Sequence, residues 1–330
     1  MVVAKYQDAL PLYRQEQMFR RIGVDLPRAT LAHWMIKVGT LAQPLLNRLR
    51  DELLDFDCLQ MDETPVQVLK EGGKAATSKS SMWVQRGGPP DKPVIVFDYD
   101  PSRSQQVPLR LLDGFQGYLQ SDGYEGYGAV CMQPGVTAVG CWAHARRKFD
   151  EAVKAQGQDK PKPGKATKGL ASIQKLYRIE KLAKDLEPEA RYSMRQAQAK
   201  PLLEDMRTWL DQSLPQVPPH SATGKALHYL NKQWHKLIRY LDDGRLAIDN
   251  NACERAIRPF VTGRKNWIFS DTPQGAKASA ALYSLIETAK ANSLEPYRYL
   301  RHIFKELPAA QSLDDIDNLL PWNVDDHHDT

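Results

Sequence analysis

The feature that most constrains the fold is a change in hydrophobic period along the chain. Residues 56–139 contain short apolar runs such as CLQMDETPVQVL, KSSMWVQRG and PVIVFDYD, separated by breaks that contain glycine and proline. Residues 145–245 carry helical patterns and no run typical of a strand. Three strands in succession, followed by alternating helix and strand, predict a mixed α/β sheet. The helical stretch of about 100 residues predicts an insertion into that α/β domain.

The pattern divides the chain into five segments. Its length of 330 residues allows roughly two domains. We expect a helical segment at 1–55, the first part of an α/β domain at 56–145, a helical insertion at 146–245, the second part of the α/β domain at 246–305 and an acidic tail at 306–330. In the first segment, a helix over 6–22, the turn GVDLP and the helix RATLAHWMIKV are typical of a helix-turn-helix. A plain helical hairpin is the alternative.

Charge is distributed unevenly, although the net charge is only +5. Residues 145–168 carry eight Lys or Arg against three acids, 255–305 carry nine against three, and 306–330 carry seven acids and no Lys or Arg. Basic segments favour a polyanionic partner, because Lys and Arg release counterions from phosphates; a solvated basic surface is the alternative. No apolar run approaches the roughly 18 residues of a membrane span, and the N-terminus lacks a signal-peptide core. We therefore expect a cytoplasmic protein without a membrane partner.

Two carboxylates follow matching apolar runs. Asp62 comes after CLQM and Asp122 after YLQS, so each is expected at or near the end of a strand. Ligands bind at the strand ends of open α/β sheets, and two neighbouring carboxylates can share a divalent metal there. Glu254, on the first helix after the insertion, is the candidate third ligand. Mg²⁺ suits oxygen ligands of this kind, and two ions roughly 3.5–4 Å apart stabilise the attacking and leaving oxygens of a phosphodiester displacement.

The helix that carries Glu254 has further signals. Asp249 or Asn250 is expected to cap it, since short polar side chains accept from free helix N–H groups. Asn250, Glu254 and Arg258 recur every four residues and share a face. Pro259 is expected to end or kink the helix and to direct GRKNW towards a nucleic acid.

Other polar residues are candidates for supporting roles. His144, in CWAH, is expected to orient a carboxylate or to contact DNA, and Asn250 and Asn251 are expected to support Glu254. Trp267 is a candidate for stacking on an unpaired base, with a buried core tryptophan as the alternative. Glu63 points to the opposite side of an extended chain from Asp62 and is not expected to be a metal ligand. The candidate phosphate-binding cations, for which solvated side chains are the alternative, are Arg146, Arg147, Lys148, Arg255, Arg258, Arg264 and Lys265.

These motifs resemble those of a known family. In chain order, MDETPVQVL, YLQSDGYEGY, CWAHARRKF, DDGRLAIDNNACERAIRP, GRKNWIF and ALYSLIETAK look like the catalytic region of bacterial insertion sequence 66 family transposases. The N-terminal KYQDALPLYRQEQMFRRIGVDLPRATLAHW and the terminal LLPWN are similar as well, so the resemblance covers essentially the whole chain. It implies a ribonuclease H-like domain with an insertion before the catalytic Glu. By motif, the family's Asp-Asp-Glu metal triad falls on Asp62 of MDET, Asp122 of SDGY and Glu254 of NNACER.

The resemblance implies a DNA transposase that cleaves transposon ends and joins them to target DNA with two Mg²⁺ ions, for which Mn²⁺ can substitute. It also implies a homo-oligomer on DNA, accessory proteins of the same element, and a nucleoid-associated location in the bacterial cytoplasm. The alternatives are a ribonuclease H-like nuclease or resolvase without strand transfer, and a truncated, catalytically silent DNA-binding protein. Family members usually add an N-terminal coiled coil and a cysteine-rich zinc module, which the four scattered cysteines here cannot replace. We therefore expect a truncated copy, a fragment or a short relative.

Overall fold

The computed structural model describes residues 1–155 and 163–324. Residues 156–162 of the predicted insertion and 325–330 of the predicted acidic tail lie outside the described residues. The chain divides into two compact units. The first unit consists of Met1–Gly117, Gly126–Gly135 and Ala252–Thr330, and the second unit consists of Tyr118–Glu125 and Val136–Asn251.

The first unit begins with four helices, α1 (Val2–Tyr6), α2 (Leu12–Arg21), α3 (Arg28–Leu41) and α4 (Gln43–Leu54). The prediction of one helix over residues 6–22 is wrong, because the chain leaves the helix after Tyr6 and starts α2 only after Pro11. Pro11 has an extended backbone conformation and cannot donate a helical hydrogen bond. Three strands and a short helix follow: β1 (Cys58–Gln67), β2 (Lys79–Gly87), β3 (Val94–Asp100) and α5 (Gln106–Leu111).

Strands β1, β2 and β3 form an antiparallel ladder in the order β3-β2-β1. Asp62 of β1 lies opposite Val84 of β2, which in turn lies opposite Phe97 of β3. The expectation that Asp62 lies at or near the end of its strand is wrong, because Asp62 lies in the middle of β1 and pairing with β2 continues as far as Gln67. Residues directly opposite one another project from the same face of a sheet, so Asp62 shares its face with Val84 and Phe97.

The second unit contains two short strands, β4 (Gly117–Gln120), of which all but the first residue belongs to it, and β5 (Val136–Val139). They run parallel, with the Ser121 N–H donating to the Val139 carbonyl at 3.2 Å. Five helices follow: α6 (Trp142–Lys154), α7 (Lys165–Leu182), α8 (Pro188–Met194), α9 (Lys200–Ser213) and α10 (Ala222–Leu237). Trp142, Phe149 and Leu210 are among the side chains buried in the core of this unit.

The chain then returns to the first unit and forms α11 (Asn251–Trp267), α12 (Pro273–Ala291), α13 (Pro296–Glu306) and α14 (Leu313–Asp317). Of the two expectations for Pro259, an end or a kink, the end is wrong, because α11 continues for two further turns. Pro259 removes one helical N–H, and packing of Phe260 and Trp267, whose ring centroids lie 5.5 Å apart, holds the second half in place. Within the described part of the predicted acidic tail, Asp317 accepts from Arg48 of α4 at 2.5 Å.

Antiparallel and parallel strand pairs together with helices make this a mixed α/β fold, as predicted. Within the described residues, none of the helices has both the length and the apolar character needed to cross a membrane.

Candidate active site

Helix α11 lies against the face of β1 that carries Asp62. Alternate residues of a strand share a face, so Thr64 projects on the same side as Asp62. The Thr64 hydroxyl accepts from the Arg264 guanidinium of α11 at 3.0 Å. The Cys253 thiol, in the first turn of α11, lies 3.8 Å from the carbonyl oxygen of Val84, the residue opposite Asp62. Both ends of α11 are therefore in contact with the centre of the antiparallel ladder.

Cys253 neighbours one predicted ligand in the chain and contacts the strand opposite the other. Cys253 is fully buried, and burial raises the pKa of its thiol well above the ordinary value. The negative charge of Asp62 raises that pKa further, the charge of Arg86 opposes the shift, and the charges of Glu254 and Glu63 add to it. Glu254 directly follows Cys253 in α11, and the Cys253 thiol contacts the ladder at the residue opposite Asp62. Cys253 thus links the start of α11, which carries Glu254, to the part of the ladder that carries Asp62.

Arg86 is a residue near this point that the sequence analysis missed. It projects from β2 on the same face as Val84, two residues away. Burial lowers the pKa of its guanidinium, the Cys253 thiol opposes that shift, and the charge of Arg255 lowers the pKa again. Arg86 therefore adds a positive charge in the neighbourhood of Arg255 and Cys253. The sequence alone did not place Arg86 on the same face as Val84, because that position depends on how β2 pairs with β1.

Glu63 lies on the other face of β1, as predicted. Its carboxylate accepts from the Arg103 guanidinium at 2.9 Å and from the Tyr127 hydroxyl at 2.5 Å. Tyr127 packs edge-on against Trp83, the residue opposite Glu63. Glu63 therefore holds together the opposite face of the sheet from Asp62.

Asp122 belongs to the second unit and follows the last residue of β4 by two positions, as predicted. Its carboxylate accepts from the Tyr124 N–H at 2.9 Å, which folds the loop after β4 back on itself. Burial, the Cys141 thiol and then the charge of Asp122 raise the pKa of Tyr229 in α10. The Asp122 carboxylate thus follows the end of β4, and its charge acts on Tyr229 of α10 in the same unit.

The residues just before α11 are fixed by one carboxylate. Asp249 accepts from the Asn251 N–H at 3.1 Å, the Asn251 side-chain amide at 2.7 Å and the Tyr177 hydroxyl at 2.7 Å. Of the two capping candidates, Asp249 thus bonds the N–H of the first residue of α11, from two residues before it. Asn250 is fully buried, and its N–H donates to the Cys141 sulfur at 3.2 Å. Burial raises the pKa of the Cys141 thiol to about 11.

Helix α6 carries the cations of the second unit. Arg146 and Arg147 are exposed and line a cavity of about 310 Å³ together with Tyr177 and Asn251. The Arg146 guanidinium lies over the Tyr177 ring at 5.5 Å. Lys148 is exposed and pairs with Glu151 of the same helix at 3.6 Å. His144 lies half-buried in the first turn of α6.

The candidate residues along α11 divide into exposed and internal ones. Arg255, Arg258 and Lys265 are exposed. Arg264 is half-buried at Thr64, and burial lowers the pKa of its guanidinium. Trp267 is half-buried and packs edge-on against Phe260, which agrees with the core alternative for this residue better than with stacking on a base.

The donor set of the first unit suits a hard divalent cation. Asp62 and Glu254 offer carboxylate oxygens, which Mg²⁺ and Mn²⁺ prefer, and a metal there would offset the negative charge that both impose on Cys253. The buried Cys253 thiol is kept protonated by its raised pKa and is therefore a poor ligand.

Comparison with known proteins gives the family. The chain matches the family described as "Transposase IS66 family" over residues 1–278 and the one described as "IS66 C-terminal element" over residues 284–322. No solved structure matches the chain significantly.

Two curated relatives come from Sinorhizobium fredii (strain NBRC 101917 / NGR234). The uncharacterized protein y4qI is 30% identical over 336 residues, a match that covers 98% of this chain and 61% of that protein. The uncharacterized protein y4jD is 32% identical over 337 residues, covering 98% of this chain and 64% of that protein. The chain thus spans about three fifths of the length of these relatives. Because the two family models together match nearly the whole chain, it belongs to the IS66 family of transposases.

Proposed function

We propose that this chain supplies the catalytic region of a DNA transposase in which Asp62, Asp122 and Glu254 hold two Mg²⁺ ions. The observation that carries the proposal is the contact of α11, which carries Glu254, with the face of β1 that carries Asp62, through the Arg264–Thr64 bond, in a chain of the IS66 family. Asp122 completes the set by motif and by its position at the end of β4. On this proposal the mixed sheet is of the ribonuclease H-like kind, interrupted by the helical insertion.

The proposed reaction has two phosphodiester displacements. In the first, a water oxygen attacks phosphorus at the transposon end, the P–O3′ bond breaks, and the leaving oxygen takes a proton to become a free 3′-hydroxyl. In the second, that hydroxyl attacks a target phosphodiester and another 3′-hydroxyl leaves. Bound Mg²⁺ supplies charge stabilisation for the attacking and leaving oxygens. The protein residues position the reactants and neutralise phosphate charge.

Several cations have defined tasks on this proposal. Arg86 and Arg255 repel one another beside Cys253, and a scissile phosphate relieves that repulsion. Exposed Arg258 and Lys265 continue the positive surface of α11 along the DNA backbone. Arg264 has another role, since its bond to Thr64 fixes α11 against β1 and thereby sets the position of Glu254 relative to Asp62. A homo-oligomer on DNA and accessory proteins of the same element belong to the same proposal.

The test removes the carboxylate charge with little change in shape. We expect Asp62→Asn and Glu254→Gln each to abolish Mn²⁺-dependent nicking and strand transfer into a supercoiled plasmid, while binding to the same plasmid is kept. Mn²⁺ affinity, measured by calorimetry, should fall by more than the roughly 10–100-fold that loss of a supporting residue causes.

Glu63→Gln is the matched control, because it changes the neighbouring carboxylate on the opposite face of β1 and keeps acceptors for Arg103 and Tyr127. It should retain Mn²⁺ binding and nicking. Nicking that survives in Asp62→Asn removes Asp62 from the site. Nicked but never joined products indicate a nuclease or resolvase, and a wild-type chain that binds DNA without binding Mn²⁺ at millimolar concentration indicates a silent DNA-binding protein.

A further inference from the structure

The turn that follows α11 exposes two large apolar side chains. Ile268 is 63% exposed and Phe269 is 42% exposed. Both lie directly after Trp267, whose ring faces inward against Phe260. Apolar side chains of this size lose favourable burial when they face water, so a paired Ile and Phe at the tip of a turn calls for an explanation.

The backbone of this turn is strained. Ile268 has a φ of 67°, and the Phe269 N–H closes a three-residue turn onto the Trp267 carbonyl at 2.8 Å. A positive φ is disfavoured for a β-branched residue, and turns of this tight kind are rare. Glycine would adopt the same backbone without strain, so the Ile side chain is kept at a conformational cost. Such outliers cluster at functional sites.

The strained turn is held rigidly on both sides. Before it, the Asn266 side-chain amide donates to the Ala9 carbonyl at 2.9 Å. After it, Ser270 pairs in parallel with Val68, and its N–H donates to the Gln67 carbonyl at 2.9 Å. The end of β1 and the N-terminal segment therefore fix the position of the two exposed side chains.

Charge around the turn favours a nucleic acid. Lys265 is exposed two residues before the last of α11, and the Lys5 ammonium lies 5.9 Å from the centre of the Trp267 ring. Asp271, the nearby acid, is paired with Lys70 at 2.8 Å. Two side chains form a much smaller surface than the roughly 800 Å² per partner of a stable protein interface. They match the face of a single base, and Phe and Ile are residues that wedge between base steps.

We propose that Ile268 and Phe269 form an apolar wedge that stacks against an unpaired or unstacked DNA base. The inference rests on the proposed function and deepens it, because it gives the enzyme a preference for DNA whose end is open. Phe269 supplies the stacking face and Ile268 separates the base from its neighbour. The wedge takes the role for which Trp267 was one candidate, since the Trp267 ring packs against Phe260.

The test uses a fully paired duplex and the same duplex with a short unpaired end that carries 2-aminopurine. The wild-type chain should quench 2-aminopurine fluorescence on binding and should bind the open duplex more tightly than the paired one. Phe269→Ala should weaken binding to the open duplex about tenfold, the loss expected for one stacked base, and should abolish quenching. Phe269→Tyr should restore both, and the salt dependence of binding should stay unchanged because no phosphate contact is lost.

Leu313→Ala is the control, because Leu313 is 67% exposed in the same unit; it should behave as the wild type. Quenching that persists in Asp62→Asn supports the wedge even where cleavage is lost, so failure of catalysis and failure of the wedge are distinguishable. Equal quenching by Phe269→Ala and wild type overturns the inference. The inference is also overturned if the wild-type chain self-associates in sedimentation and Phe269→Ala abolishes this, because the two side chains then contact a second protein chain. A wild-type chain that binds neither duplex overturns both proposals.

Discussion

At the scale of single residues, Arg195 has an unusual position. It is 1% exposed and uses all five of its N–H donors. Two bonds go to the Glu180 carboxylate of α7, at 2.9 and 2.6 Å, and three go to the carbonyls of Tyr240, Asp243 and Leu246, at 2.8–2.9 Å. One guanidinium thus fixes the loop that leads from α10 towards Asp249 and α11.

We predict that Arg195→Met destabilises the protein by about 3–5 kcal/mol, because it leaves the Glu180 charge and three carbonyls without their donor. Urea-induced unfolding followed by tryptophan fluorescence measures the loss. Arg178→Met, an exposed arginine on the same helix as Glu180, should cost less than about 0.5 kcal/mol. The double variant Glu180→Leu/Arg195→Met should recover part of the loss, since it removes the unpaired charge. A single variant as stable as Arg178→Met contradicts the role assigned to Arg195.

At the scale of elements, helix α12 covers the outer edge of β3. The Phe97 N–H donates to the Ser284 hydroxyl at 2.8 Å, and the Ile95 N–H donates to the Thr288 hydroxyl at 3.1 Å. The Asn292 amide donates to the Pro93 carbonyl at 2.8 Å. Four helical residues rise about 6 Å and two strand residues rise about 6.6 Å, so each turn of α12 meets every second residue of β3. The edge is thereby closed to pairing with another chain.

We predict that Thr288→Val destabilises the protein by about 1–3 kcal/mol, because the variant keeps the shape but leaves the N–H and carbonyl of Ile95 without a partner. Ser284→Ala should act in the same direction. Thr40→Val is the control, since the Thr40 hydroxyl bonds only its own helix and is exposed. The midpoints of urea unfolding decide the comparison, provided that the slope of the unfolding free energy against urea concentration is the same in each variant. If Thr288→Val costs no more than Thr40→Val, the side-chain cover of β3 does not stabilise the fold.

Element types were predictable from sequence because the hydrophobic period is local, and the change from strands to helices is visible over 56–245. Element ends were less predictable. The end of β1 depends on pairing with β2, and the continuation of α11 past Pro259 depends on packing around Phe260. The motifs were enough to select Asp62 and Glu254 as candidates, whereas the positions of Arg86 and of the Thr64–Arg264 bond depend on the register of distant segments.

At the scale of the whole molecule, a net charge of +5 is too small to attract DNA without local concentration of the cations. In the second unit, Arg146 and Arg147 line a cavity of about 310 Å³. Arg146 is oriented in advance by the Tyr177 ring, so it loses little freedom on binding phosphate. Of the acids nearby, Asp249 is engaged by Tyr177 and Asn251, and Asp150 pairs with Lys154 at 2.6 Å.

We predict that the double variant Arg146→Gln/Arg147→Gln lowers the slope of log affinity against log salt concentration by about 1.8 for duplex DNA, since each lost phosphate contact removes about 0.9. Fluorescence anisotropy over a series of NaCl concentrations gives the slope. Lys200→Gln/Lys225→Gln is the matched control, because it removes the same charge from exposed positions of the same unit that do not line the cavity. If these cations act only through a general field of positive charge, both double variants lower the slope equally. If Arg146 and Arg147 contact phosphates directly, Arg146→Gln/Arg147→Gln lowers the slope and Lys200→Gln/Lys225→Gln leaves it unchanged.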